Sequence, residues 1–145
     1  MQVSSALTHN HKASIHASNW QPLLNEAQKD HALGMAVHIA ESIMETGPEE
    51  PGISLTSEDA GLVIFFHYLK KITGEEKYGA YAESLLANCV QAINEQHCKY
   101  NFADGIAGFG WMINHLAAEG FVDDDVDSFL ADVDGFMIQC LNHDL

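Results

Sequence analysis

Asn101-Phe102-Ala103-Asp104-Gly105-Ile106-Ala107-Gly108-Phe109-Gly110-Trp111 is the stretch that decides the fold. Its Gly-x-x-Gly opens an almost wholly apolar segment that runs on through Met112, Ile113 and Leu116. A fainter copy stands 47 residues earlier: Ser54-Leu55-Thr56-Ser57-Glu58-Asp59-Ala60-Gly61-Leu62-Val63, with Ala60-Gly61 overlaying Ala107-Gly108. A buried helix that recurs at about 45 residues marks stacked helical hairpins. Gly105 and Gly108 share one helical face near the first turn, where the missing side chains let another backbone approach. The alternative is an anion held by the free amides of that turn. Asp104, beside the helix start, would repel one.

Outward from the two glycine starts, the chain beyond residue 18 reads as further helices. Residues 1–18 are polar, aperiodic and carry His9, His11 and His16, so they read as a tail, with 19–145 as a single helical domain. Ser18 or Asn19 can cap a first helix with Pro22 in its opening turn, and Gly47-Pro48 stops it. The second helix is expected to start near Thr56, paired with Asp59 in a capping box, and to end at Thr73-Gly74. It is apolar nearly all round, as a helix buried on several sides must be. The third carries one narrow stripe, Tyr78, Tyr81, Ala82, Leu85, Leu86, Cys89, Val90 and Ile93. The fourth, from about Asp104 to Ala118, returns to the all-apolar type, which places Trp111 in the core. The fifth, opened by Asp123-Asp124-Asp125 at its positive end, is striped again. Striped and buried helices alternate as inner and outer layers of an α/α ring would. The fold expected is therefore all-α, an arc of an α/α toroid of about five helices. A plain five-helix bundle would stripe all its helices alike.

Composition removes several classes of function. Six lysines, no arginine and twenty-one acidic residues give a formal charge of −15, which repels phosphate backbones and excludes nucleic-acid binding. No uncharged apolar run is long enough to span a membrane. The first residues lack the basic end and apolar block of a secretory signal, which predicts a cytoplasmic chain. Three cysteines, Cys89, Cys98 and Cys140, show no Cys-x-x-Cys spacing and are expected to be reduced thiols.

The segment from Asn101 to Trp111, followed by Met112-Ile113-Asn114-His115-Leu116 and Glu119-Gly120-Phe121, resembles the second inner helix of lanthionine synthetase C-like proteins, the lanthipeptide cyclases and their relatives. Leu62 to Tyr81, with Tyr68-Leu69-Lys70-Lys71-Ile72-Thr73-Gly74-Glu75-Glu76-Lys77-Tyr78, resembles the first inner helix and the connection after it. The likeness covers roughly residues 52–141. It implies a toroid whose glycine-rich helix starts line one mouth, and an activity in which zinc, held by two cysteines and a histidine, activates peptide thiols. These thiolates add to dehydrated residues and close thioether rings. The family's ligands stand in Cys-x-Gly and Cys-His-Gly contexts, absent here; His97-Cys98 has the reverse order and no following glycine. The family's catalytic arginine has no counterpart, and Asn101 stands where a cyclase carries an aspartate.

The expectation is thus the N-terminal part of such a protein, inactive by itself. No catalytic residue, metal ligand or cofactor is assigned to this chain; zinc and a peptide substrate belong to the full-length family. Residues expected to line the mouth are Asn101, Asp104, Gly105, Gly108, Glu58 and Asp59. Two other readings stay open. One is a non-catalytic interaction module that self-associates through the exposed flanks of its inner helices. The other is a carbohydrate-active fragment using Glu58, Asp59 and Asp104 as carboxylates, which at helix starts are also ordinary caps and dipole partners. His67 and His115, one on each inner helix, read either as lumen-facing acid–base groups or as histidines held by core hydrogen bonds.

Overall fold

The computed structural model describes residues 21–47, 51–95 and 99–122, and beyond them positions 126, 130, 131, 133–135, 137 and 138. The chain is helical, with α1 at Glu26–Thr46, α2 at Asp59–Thr73, α3 at Glu76–Glu95 and α4 at Ile106–Ala118. Helical backbone returns at the described positions from Val126 to Ile138. Among the described residues the one β-type pairing is an isolated bridge between Lys99 and Gly105. An all-α arc of alternating layers accounts for this arrangement, and the 47-residue repeat places α2 and α4 at equivalent positions.

Local chemistry sets the helix ends. The first helix starts later than Ser18 or Asn19, at Glu26, because Asn25 and Gln28 form a reciprocal capping box: Gln28 N–H donates to Asn25 Oδ1 at 2.9 Å and Asn25 N–H to Gln28 Oε1 at 3.0 Å. Asn19 has Pro22 three residues on and cannot make that pair. The second helix likewise begins at Asp59 and not near Thr56. Its N-cap Glu58 makes no side-chain cap, and the Thr56–Asp59 box does not form. Gly74 closes α2 with φ 74°, ψ 7°, its N–H on the Lys70 carbonyl, as the Thr73-Gly74 pair predicts. The fourth helix begins at Ile106 with Gly105 as N-cap, two residues after Asp104. At its end Gly120, at φ 71°, turns the chain so that Phe121 N–H reaches the Leu116 carbonyl at 2.8 Å.

The core lies between α2 and α3, the most extensively packed pair. Val63, Phe66 and Leu69 of α2 meet Tyr78, Ala82, Leu85 and Cys89 of α3, all buried. Phe66 is the hub, edge-on to Tyr81 at 4.7 Å and to Phe65 at 5.2 Å. From α4, Ile106, Phe109, Met112 and Leu116 complete the core. By contrast α1 buries only Ala40 fully. The apolar inner helices are not enclosed on every side among the described residues. Trp111, expected in the core, is 46% exposed, and Ile72 of α2 is 64% exposed.

Candidate functional site

Both glycine-marked segments fold back over the starts of their own helices, which creates one end of the molecule. A Cβ on Gly61 would collide with the Leu55 carbonyl, and one on Gly108 with the Phe102 carbonyl. The offset is six residues in each copy, so the two segments are built by the same close backbone approach. Gly105 is equally confined, beneath the carbonyls of Lys99 and Asn101. The packing role of these glycines, and not an anion loop, accounts for their positions.

The two starts are then clasped together. Leu55 N–H donates to the Ala103 carbonyl at 2.9 Å. Asp104 Oδ1 accepts from the Thr56 hydroxyl at 3.3 Å and stands 3.2 Å from Ser54 Oγ. Ser54 Oγ in turn accepts the N–H groups of Thr56 and Ser57, each at 3.2 Å. Asn101 Oδ1 accepts Asp104 N–H at 2.7 Å, which fixes the turn entering α4. Glu58 Oε2 accepts Ser54 N–H at 2.8 Å. Asp104, Asn101 and Glu58 therefore meet at one end, Asp104 through the Ser54 and Thr56 hydroxyls, Glu58 through the Ser54 amide and Asn101 through the Asp104 amide; Ser54 is the residue that the sequence reading did not single out. The signal for Ser54 was present: it stands 47 residues before Asn101, in the same place of the repeat. Glu58 also borders a cavity of about 300 Å³ with Leu55, Thr56, Ser57, Gly61 and Leu62.

Gly105, Gly108 and Asp59 lie inside. Asp59 is 1% exposed, and neither carboxylate oxygen has a hydrogen-bond partner among the described residues. Burial raises its pKa above the ordinary carboxylate value; the nearby Asn88 side chain and Gly52 backbone oppose the shift, and Glu58 adds to it. Asp59 also faces Cys89, whose thiol burial pushes up to about 12 and which donates to the Gly52 carbonyl at 3.3 Å. A thiol held so high is protonated and makes a poor metal ligand or nucleophile.

A raised pKa means that the folded chain holds the Asp59 proton more tightly than the unfolded chain does. The stability due to that proton is full below the ordinary carboxylate pKa and is lost as pH rises through the raised value. Above that value the ionised, buried carboxylate of Asp59 is a cost. Asp59→Asn is expected to flatten the fall in urea midpoint that accompanies rising pH. An unchanged pH slope would show that Asp59 is not the titrating group.

The two inner-helix histidines differ. His115 is half-buried, with Nε2 3.0 Å from the Tyr68 hydroxyl and its ring stacked on Trp111 at 5.2 Å and 7°. Tyr68 and His115 stand one repeat apart, so equivalent positions of α2 and α4 face each other. His67 is 4% exposed and stacks on Phe121 at 5.2 Å. Its Nε2 has no partner among the described residues, so the core hydrogen bond expected for it is not made at that atom. Burial lowers its pKa and keeps the ring neutral at pH 7.

Among the described residues no three of His, Cys, Asp and Glu converge as a metal site. His97-Cys98, Cys140 and the histidines of residues 1–18 lie outside the described residues. Also among the described residues, no helix is long and apolar enough to cross a membrane. No curated protein and no solved structure matches the chain. The family model described as "Lanthionine synthetase C-like protein" does match, over residues 51–145, which takes in α2, α3, α4 and the helical backbone that follows. With two glycine-started helices clasped at one end and that match over most of its length, the chain belongs to the lanthionine synthetase C-like family.

Proposed function

We propose that this chain forms the first arc of a lanthionine synthetase C-like toroid and supplies one edge of its mouth, while the zinc-dependent thioether chemistry associated with the family resides in other sequence. The observation that carries the reading is the clasp between the Ser54–Glu58 and Asn101–Asp104 segments within the family match. Its carboxylates are engaged in holding backbone and hydroxyl groups. Glu58 accepts an amide, Asp104 accepts from Thr56, and Asp59 is sealed inside. That use favours an architectural edge over a pair of acid–base carboxylates, which a glycosidase needs free on either side of a sugar. The chemistry of Cys89 adds a second support, since it is a protonated, buried thiol and, among the described residues, no group of three metal-ligating side chains forms around it.

Elemental analysis of the purified chain tests this. Zinc is expected well below one equivalent per chain after dialysis, with no thioether formed from a dehydrated, cysteine-bearing peptide. One tightly held zinc per chain that disappears in a His97→Ala, Cys98→Ser variant would overturn the proposal.

A further inference from the structure

The largest cavity among those described, about 540 Å³, lies between α1 and α2. Its walls are apolar: Leu33 and Ala36 of α1 face Phe65, Leu69 and Ile72 of α2, with Leu24 at one end. Burial within α1 explains why it stays open. From Glu26 to Ala32 every residue of the helix is exposed, and only further on do Leu33, Ala36, Val37 and Ala40 turn inward. The first two turns therefore stand off from α2 and leave Ile72 64% and Leu24 44% exposed. From Phe65 to Ile72 the α2 wall is two helical turns long, about 10 Å.

Charge at the rim is one-sided. Glu26, Lys29 and Asp30 border the groove, but Lys29 is already paired with Glu26 at 2.7 Å. Asp30 has no ion-pair partner among the described residues and stands over the opening. The chain as a whole carries −15 with no arginine, and its four lysines of α1 to α3 are all held in ion pairs. A second copy of the chain would bring the same acidic surface to the same rim. An apolar slot of this length with an acidic edge is complementary to a helix that presents apolar side chains at i, i+3 or i+4 and lysine or arginine on its flank.

We infer that the α1–α2 groove is a docking site for a short, basic, amphipathic helix of a partner protein. The groove runs along Phe65 to Ile72, the later half of α2, whereas the clasp sits at that helix's start, so the two sites are separate. Apolar anchors fill the slot between Leu33 and Ile72, and the basic flank pairs with Asp30.

The test is fluorescence anisotropy with the full chain and a labelled fourteen-residue peptide of leucine and lysine in helical pattern. A peptide of the same composition in scrambled order is the reference for plain charge attraction. The patterned peptide is expected to bind at least tenfold tighter than the scrambled one. Ile72→Ser is expected to abolish that preference, and Asp30→Asn to weaken binding of the patterned peptide two- to threefold, with circular dichroism unchanged in both variants. Equal binding of the two peptides, or a preference that survives Ile72→Ser, would overturn the inference. So would light scattering that shows a dimer whose mass the patterned peptide does not change and which Ile72→Ser splits, since a second copy would then be the occupant. None of these outcomes bears on zinc content, so this inference and the family proposal fail separately.

Discussion

Gly108→Val is expected to cost at least about 3 kcal/mol and to leave the chain largely unfolded in mild denaturant. The reason is space and not backbone angle, since Gly108 is not among the glycines with positive φ. A Cβ at this position would sit within the Phe102 carbonyl oxygen and 3.0 Å from Leu55 Cδ1. Backbone oxygen cannot swing aside as a lysine tip can. To relieve the clash the Asn101–Asp104 turn must lift, and that turn carries the Asp104 contacts to Ser54 and Thr56 and the Ala103 carbonyl that receives Leu55 N–H. One added side chain therefore unseats α4 from its own entry turn and the entry turn from α2. Gly34→Ala is the matched control. Gly34 lies inside α1 with nothing within 4 Å of an added Cβ, so alanine there should be neutral or stabilise by up to about 1 kcal/mol. Urea denaturation followed by circular dichroism separates the two. A Gly108→Val midpoint equal to that of the parent would remove the close-approach account of both glycine starts.

The same contacts explain how far the fold was legible in sequence. α2, α3 and α4 could be read because each ends on a residue with one job: Gly74 and Gly120 take positive φ, and the α3 stripe has a single buried face from Tyr78 to Ala92. The start of α1 was less legible, since Ser18 has Gln21 and Asn25 has Gln28 three residues on, so the same capping-box spacing occurs twice. Thr56 and Asp59 have the spacing of a capping box and do not use it. The Thr56 hydroxyl goes instead to Asp104, 48 residues away, and no local pattern announces a tertiary partner. Trp111 was misplaced for a related reason. Where a helix is apolar all round, periodicity does not say which face is covered, and α4 leaves the Trp111 side open. Of the six residues expected at a mouth, Asn101, Asp104 and Glu58 meet at the clasp, whereas Asp59 is turned inward. Its position at the first turn of α2 was legible; its burial against Cys89 depends on α3, which the sequence does not place.

Phe66→Ala is expected to be the second severe substitution, at about 3–5 kcal/mol. Phe66 is fully buried and joins three rings: Tyr81 at 4.7 Å, Phe65 at 5.2 Å and Tyr78 at 6.2 Å. The first two are edge-on, the arrangement in which aromatic pairs contribute beyond area alone. Truncation removes all three contacts and leaves a cavity between α2 and α3, and the helix backbones on either side hold it open. Tyr78 cannot collapse into it cheaply, because its hydroxyl donates to Glu41 at 2.9 Å and so ties α3 to α1. Phe102→Ala makes the comparison fair. Phe102 is 55% exposed and touches Trp111 edge-on at 5.7 Å, so losing its ring should change stability by no more than about 0.5 kcal/mol. Its backbone carbonyl, the group that Gly108 needs close, is untouched by that substitution. If Phe66→Ala and Phe102→Ala shifted the urea midpoint equally, the α2–α3 interface would not be the centre of the fold. The expected asymmetry makes the buried α2–α3 interface, and not the exposed ring beside Trp111, a centre of the fold.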